Sequence, residues 1–364
     1  AYADKIKQLA LQDQLPVLVH APGSGGIDTQ WFNQVVVAND MAYDLTSFAQ
    51  DNPETAANWI PESVDFCTVD GKLICKPLSV LKPVGLYYNS SMYSPEKNIR
   101  DMTMDEFVES LGDNKIAFMT GENGWTTGLM LSALIANEEG GVELMNASAA
   151  DKLWDYNNPI IISAVEKLQK MLQNNATANT VGAAYADAAN AFMSKSGAVI
   201  CNGSWMASEF TEESKDKWSN DFNGADVKTT IYPGNVALAN PATYGEFWIA
   251  NSASDAEKEA AEAFLAFRDS QAEIEALILA EGGTAPQLTY SEEFLTKLQE
   301  EPLLYELAQS MNEDTTYCVA VGDVLPASVA DSEFGKLLPK LIDNTLTAQQ
   351  FCDELTKKAQ EAKQ

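Results

Sequence analysis

The chain has very little of what most enzymes use for catalysis. It contains one histidine, His20, and five cysteines, which are dispersed apart from Cys67 and Cys75. No G-x-S-x-G, H-E-x-x-H, C-x-x-C, G-x-x-x-x-G-K-[ST] or G-x-G-x-x-G motif occurs. These absences argue against a Ser-His hydrolase, a zinc site and a phosphate-binding loop. We therefore expect no catalytic residue, no metal and no cofactor, and we interpret His20 as a structural histidine.

Basic residues are also scarce. The chain has 23 Lys and Arg against 53 Asp and Glu, which gives a net charge of −30. Binding to nucleic acid requires clustered cations that neutralise phosphates, so this balance argues against a nucleic-acid partner and against an anionic membrane surface. The acidic residues are scattered rather than collected in a tail, which is typical of a solvated surface. No apolar run reaches the roughly 18 residues that would span a bilayer.

What the chain does have is the length and the pattern of an α/β protein. Its 364 residues exceed the usual size of a single core, so we expect two domains. From Tyr88 onward, strand-like and helix-like segments alternate. Thr103 and Ser254 each precede a helix with Glu at the third position, as in a capping box. In the second of these helices we expect Ala260, Phe264 and Phe267 to pack in the core.

The most informative segment is FMSKSGAVICNGSW, residues 192–205. It combines the end of a helix, a break at Lys195-Ser196-Gly197, a short buried strand from Ala198 to Cys201, and a polar loop that ends in Trp205. We expect Gly197 to supply the left-handed turn. Because ligands of open α/β sheets collect at the carboxyl ends of strands, amide and hydroxyl groups beside an indole there favour a sugar.

This order of elements resembles the extracellular solute-binding proteins of carbohydrate ABC importers, the maltose-binding-like family 1. The resemblance covers nearly the whole chain. Its other segments are Asp70-Gly71-Lys72 with Lys76-Pro77, Leu86 to Asn89, Gly245 to Ala250, Ser254 to Phe267 and Glu281 to Pro286. None of these segments is specific alone, and the resemblance rests on their shared order.

The resemblance implies a two-lobed, periplasmic-binding-protein-like (type II) α/β fold with interdomain hinge strands. The first lobe is expected at residues 1–81 and 245–288, and the second at 84–242 and 289–364. Relatives begin with a strand, a helix and a strand that precede the segment matched by Tyr2 to His20. We therefore expect these N-terminal elements to be absent from this chain and the first lobe's sheet to be short. The glycine-rich residues 20–26 are interpreted as a flexible loop at the cleft.

A pyranose is held by stacking on Trp or Tyr and by planar hydrogen-bonding groups. Trp205, in the position of the family's NG-x-W motif, is the first candidate, and Trp125, expected in a loop after a strand at residues 115–120, is the second. A core position is the alternative interpretation for both, and hinge packing is the alternative for Tyr244. The remaining candidates are Glu246, Lys82, Asn202, Ser204, Tyr43, Trp31 and Glu281. Trp154, Trp218 and Trp248 are interpreted as core or surface residues.

The resemblance further implies capture of a sugar or oligosaccharide by hinge closure and its delivery to ABC permease subunits. It implies a monomer that is extracellular, either as a membrane-anchored lipoprotein or in the periplasm. Two alternatives remain: a binding protein for a peptide or polyamine, and a secreted glycoside-active enzyme that uses a pair of carboxylates. A disulfide between Cys67 and Cys75, which flank a hairpin at Asp70-Gly71, is also left open.

Overall fold

The chain divides into two compact units. The computed structural model describes residues 2–22, 27, 29–149 and 152–363. The first unit comprises Ala1–Leu81 and Pro241–Lys297, and the second comprises Lys82–Asn240 and Leu298–Gln364. The chain therefore passes between the units three times, and neither unit is continuous in sequence.

The first unit begins with short helices and a hairpin. A tight turn at Asp70 and Gly71, with φ of 51° and 79°, joins the two strands of the hairpin, as predicted. The elements are α1 (Tyr2–Leu11), β1 (Leu18–His20), α2 (Thr29–Trp31), a π-helix (Phe32–Val37), α3 (Thr46–Asp51), α4 (Pro53–Ala56), α5 (Pro61–Cys67), β2 (Thr68–Val69) and β3 (Lys72–Leu73).

The second unit holds most of the sheet and the longest helices. Its first part contains β4 (Val84–Asn89), α6 (Met104–Leu111), α7 (Trp125–Ala136), α8 (Gly141–Ala147), α9 (Pro159–Asn174), α10 (Tyr185–Met193), β5 (Val199–Gly203), β6 (Val227–Thr230) and β7 (Val236–Leu238). Short 3₁₀ helices lie at Ile99–Asp101, Ser204–Phe210, Glu212–Lys217 and Gly224–Asp226.

The chain then returns to each unit once. The first unit gains β8 (Phe247–Ile249), α11 (Asp255–Arg268), α12 (Gln271–Glu281) and most of α13 (Glu292–Gln299). The second unit gains α14 (Pro302–Ser310), β9 (Thr316–Cys318), α15 (Val321–Val324), a π-helix (Val329–Glu333), α16 (Phe334–Ile342) and α17 (Ala348–Ala362). Capping boxes at Thr103, Ser254 and Thr347 open α6, α11 and α17.

The sheet of the second unit is organised around β4. This strand pairs antiparallel with β5 along one edge and with β6 and β7 along the other, and β9 continues the sheet parallel to β7. Five of the six residues of β4 are buried. In the first unit, β1 pairs antiparallel with β8, so that Leu18 lies opposite Ile249. Each unit has its own core of buried hydrophobic residues.

Three local expectations differ from the structure. In α11 the buried residues are Ala261 and Leu265, and Phe264 and Phe267 are 38% and 59% exposed, because the helix packs on a face one residue further along. Lys195, with φ of 59°, makes the left-handed turn that we expected of Gly197. Residues 115–120 form isolated bridges at Ile116 instead of a strand.

Residues 289–297 belong to the first compact unit. The hydroxyl of Tyr290 lies 2.6 Å from the backbone nitrogen of Ala285, which donates to it. The backbone nitrogen and hydroxyl of Ser291 both donate to the carboxylate of Glu275 in α12, at 2.7 Å each. These bonds hold the segment to the first unit.

A buried ion pair joins the two sequence segments of the first unit. The ammonium of Lys76 lies 2.8 Å from Oδ1 of Asp269, and the two side chains are 2% and 0% exposed. Asp269 also accepts hydrogen bonds from Nε1 of Trp59 at 2.7 Å and from the hydroxyl of Ser79 at 2.8 Å. Since a buried carboxylate is costly unless it is paired and hydrogen-bonded, these partners fix the end of α11 against the segment that follows β3.

Lys76→Met removes the cation and leaves the buried carboxylate of Asp269 without its counter-charge. We expect the free energy of unfolding to fall by about 3 kcal/mol, measured by urea denaturation. The matched control is Lys72→Met, because Lys72 pairs with Asp40 at the same 2.8 Å distance but both side chains are at least half exposed. The control should lose less than about 1 kcal/mol. Equal losses in the two variants would contradict the argument.

Candidate functional site

The second unit contains a cavity of about 390 Å³, here called the slot. Buried apolar side chains form its floor, and exposed or half-buried polar side chains form its rim. The floor consists of Val84, Leu129, Leu238, Val321, Leu325 and Phe334. The rim consists of Lys82, Asn123, Asn240, Asp323 and Asp331, with Trp125 beside them. An apolar interior with a few polar groups at the edge is typical of a small-molecule site.

The sheet brings these residues to one edge. β7 ends at Leu238 and β9 ends at Cys318, and because the two strands are parallel, both chains leave the sheet on the same side. β4 runs in the opposite direction and begins there, with Val84 opposite both Leu238 and Gly203. The carboxyl end of β5 therefore reaches the same edge, where the sequence predicted ligand contacts.

Trp125 and Trp205 form a stacked pair at this edge. Their ring centroids are 5.7 Å apart, and the ring planes differ by 29°. Trp125 is the first residue of α7, after Gly124 in the left-handed conformation, and not part of a loop as expected. Its backbone nitrogen donates to Oδ1 of Asn123 at 3.2 Å. Trp205 lies in the 3₁₀ helix after β5 and is 44% exposed. The pair thus offers an indole surface to solvent next to the slot.

Gly203 allows the indole of Trp205 to lie against the strand. A Cβ atom at residue 203 would come within 2.2 Å of the six-membered ring of Trp205. The hydroxyl of Tyr87 donates to the carbonyl of Gly203 at 3.0 Å, which fixes the strand end in the interior. The glycine of the N-G-x-W motif is therefore required by contact with the tryptophan two residues later.

Asn202 and Ser204, the neighbours of Gly203 in the chain, are buried. Both residues are about 1% exposed. The Nδ2 atom of Asn202 donates to the hydroxyl of Tyr185 at 3.0 Å, and its Oδ1 accepts from the backbone nitrogen of Gly203 at 2.9 Å. The backbone nitrogen of Tyr185 in turn donates to Oε2 of Glu122 at 3.0 Å. These bonds hold the strand end in place, and they engage both polar atoms of the Asn202 side chain.

Two predicted ligand residues of the first unit take part in its internal structure. Tyr244 is buried, and its hydroxyl donates to Oδ1 of Asn33 at 2.6 Å. Its ring packs edge-on against Phe32 and Phe66, and burial raises the pKa of its hydroxyl well above the ordinary value. The carboxylate of Glu246 accepts a hydrogen bond from Arg268 at 2.9 Å.

Three further candidates lie elsewhere in the first unit. The ammonium of Lys258 lies 4.9 Å from the ring centroid of Tyr43, and that of Lys7 lies 5.7 Å from the ring centroid of Trp31. Glu281 is the last residue of α12, which ends where Gly282 takes a φ of 76°. The side chains of Tyr43 and Trp31 are partly exposed.

Sequence reasoning missed four polar residues of the rim, Asn123, Asn240, Asp323 and Asp331, and all six residues of the floor, Phe334 among them. Asn240 and Asp323 follow β7 and β9 closely, so the rule that located Trp205 would have located them as well. Those strands have only three residues each and carry too little pattern to be predicted. No sequence signal marks Asp331 or Phe334.

Within the described residues, no group of three or more His, Cys, Asp or Glu side chains could hold a metal ion. His20 packs its ring against Phe247, at a centroid distance of 4.9 Å. All five cysteines are free and buried, Cys67 and Cys75 included. The glycine-rich residues 23–26 lie outside the described residues. Among the residues that the structure describes, no helix is long and apolar enough to cross a membrane.

Comparison with solved structures identifies the fold. A chitin oligosaccharide binding protein matches with a TM-score of 0.73 and 18% identity, over 99% of this chain and 87% of that one. A Streptococcus pneumoniae solute-binding protein, solved with the blood group A-trisaccharide, matches with a TM-score of 0.68 and 18% identity, over 99% and 88%. A family 1 extracellular solute-binding protein from Bifidobacterium longum subsp. infantis matches with a TM-score of 0.67 and 16% identity, over 98% and 88%.

These likenesses confirm the predicted two-lobed α/β fold class. Residues 9–303 match the family described as bacterial extracellular solute-binding protein, and the chain belongs to that family. No curated protein matches the sequence. The predicted family resemblance is thereby confirmed, and the family is one of binding proteins that act outside the cell.

Gly203→Ala places a methyl group where the indole of Trp205 lies, so the two tryptophans cannot keep their stacked arrangement. We expect the near-ultraviolet circular dichroism signal of the indole pair to diminish strongly while the far-ultraviolet spectrum is retained. Gly322→Ala is the control, because an added Cβ there meets no atom within 4 Å. An unchanged near-ultraviolet spectrum in Gly203→Ala would show that the indole does not rest on residue 203.

Proposed function

We propose that this protein captures a sugar or oligosaccharide outside the cell and delivers it to the permease of an ABC importer. The observation that carries the proposal is the stacked pair of Trp125 and Trp205 beside a slot with a polar rim. Two structural neighbours add support, since one is a chitin oligosaccharide binding protein and the other was solved in complex with the blood group A-trisaccharide.

The chemistry of the slot suits a pyranose. One face of the ring carries only C–H groups, and an exposed indole such as that of Trp205 provides a flat apolar surface for it. Hydroxyl groups need both donors and acceptors. By side-chain type, Lys82 supplies hydrogen-bond donors, Asp323 supplies acceptors, and Asn123 supplies both. Asn202 and Ser204 then act by holding the strand end, and Lys82 contacts the ligand directly.

Ligand capture would proceed by hinge closure. The chain crosses between the two units at residues 81–82, 240–241 and 297–298, and these crossings would form the hinge. A ligand held on the second unit would gain contacts from the first unit only in the closed state, so it would shift the population toward that state. Trp31, Tyr43, Glu246 and Glu281 are the first-unit contacts that we propose, and Tyr244 would pack the hinge.

The permease would recognise the closed form of a monomeric binding protein. Membrane attachment through a lipid anchor outside the described residues is the arrangement that we propose. Non-enzymatic capture is also our proposal, and membership of a family of solute-binding proteins supports it.

A polyamine is a second candidate ligand, and one observation favours it. Two carboxylates, those of Asp323 and Asp331, lie on the slot's rim and could accept hydrogen bonds from ammonium groups. The cation of Lys82 on the same rim opposes this assignment, since like charges repel. Spermidine therefore belongs among the ligands tested.

Trp205→Ala removes the exposed indole surface. We expect sugar affinity to fall by about 1 to 3 kcal/mol, or roughly 5- to 150-fold, in titration calorimetry with the sugar that gives the largest thermal shift. The first step is a thermal-shift screen of mono- and oligosaccharides, peptides and spermidine against the unmodified protein.

The control for that experiment is Trp154→Ala, because Trp154 contacts Lys363 and does not line the slot. Its sugar affinity should equal that of the unmodified protein. A thermal shift with spermidine or peptides alone would overturn the sugar assignment, and equal affinities of Trp205→Ala and the unmodified protein would overturn the role of Trp205.

A further inference from the structure

The floor of the slot offers no polar side chain to a sugar hydroxyl. Its six side chains are entirely hydrocarbon, and each is at most 7% exposed. They are part of the main hydrophobic core of the second unit. The polar side chains of the slot are confined to its rim. A ligand group that enters deeply therefore meets apolar side chains only.

A sugar hydroxyl is poorly suited to this floor. It would leave water without gaining a side-chain partner, and an unsatisfied buried hydroxyl is strongly unfavourable. A methyl group loses no hydrogen bond when it leaves water, and its burial is favourable. The group that occupies the floor is therefore expected to end in a methyl rather than in a hydroxyl.

The rim adds a second requirement. Two amide side chains, those of Asn123 and Asn240, belong to the rim. Asn123 is fixed there, because its Oδ1 accepts a hydrogen bond from the backbone nitrogen of Trp125 at 3.2 Å. An amide has one donor end and one acceptor end, so it complements another amide.

We propose that the sugar bound in the slot carries an acetamido group, with the acetyl methyl on the apolar floor and the amide facing the rim asparagines. The inference rests on the proposed function, and it names the substrate class of the same site. Burial of the methyl alone should strengthen binding about fourfold, and one added hydrogen bond should bring the preference to about tenfold or more.

Matched pairs of disaccharides test the inference by titration calorimetry. N,N′-diacetylchitobiose differs from cellobiose only in carrying acetamido groups at C2, and N-acetyllactosamine differs from lactose in the same way. We expect the acetamido member of at least one pair to bind about tenfold more tightly than its partner. 2′-Fucosyllactose, compared with lactose, tests a deoxysugar methyl group.

The possible outcomes separate the two levels of the proposal. Equal or tighter binding of cellobiose and lactose would overturn the acetamido inference and leave sugar binding intact. A preference for the fucosylated sugar, with no acetamido preference, would also overturn it. If none of these sugars binds and spermidine or a peptide does, the proposed function itself is wrong.

Val321→Thr then locates the methyl contact. The substitution preserves the shape of the side chain and places a hydroxyl on the floor. We expect the ratio of the two affinities in the preferred pair to fall about threefold or more. Val181→Thr is the matched control, because Val181 is 63% exposed and lies outside the slot. An unchanged ratio in Val321→Thr, with a normal melting temperature, would contradict a methyl contact at this residue.

Discussion

The pairing of β4 along both of its edges is the constraint on which the second unit depends. Because β5 pairs with one edge and β6 and β7 with the other, the directions of all these strands follow from that of β4. Their ends then meet at one side of the sheet, where Val84, Gly203 and Leu238 are neighbours. The slot and the tryptophan pair are built on these three strand ends. Substitutions in β4 would therefore alter the site even where the substituted side chain does not contact the ligand.

The sequence predicted the features that local chemistry determines. Capping boxes at Thr103 and Ser254, the turn at Asp70-Gly71 and the approach of Trp205 to a strand end all depend on a few neighbouring residues. It predicted Lys82 on the slot's rim and not Asn240 or Asp323, because these two follow strands of three residues, β7 and β9, which depend on pairing with β4 and with β7 respectively. The burial of Asn202 was missed for a similar reason, since its partner, Tyr185, comes from a different helix.

The two units use polar interactions differently. In the first unit the ion pair of Lys76 and Asp269 lies in the interior and connects segments that are distant in sequence. In the second unit the floor of the slot is hydrocarbon, and the buried polar side chains, such as Asn202 and Ser132, are uncharged. A desolvated ion pair demands one geometry, whereas apolar contacts tolerate small shifts. The first unit is thus specified by electrostatic pairing, and the second by the sheet and by packing.

The pairing of β1 with β8 has a consequence for synthesis. Leu18 cannot pair with Ile249 until Ile249 has been synthesised, about 230 residues later. At ordinary elongation rates this interval is roughly 10 to 50 seconds. The first unit therefore cannot pair β1 with β8 until Ile249 has been made, and the second unit cannot complete its sheet until β9 (Thr316–Cys318) has been made. Each unit therefore completes its sheet only after a segment of the other unit has been made. Such a delay is compatible with membership of a family whose proteins act outside the cell.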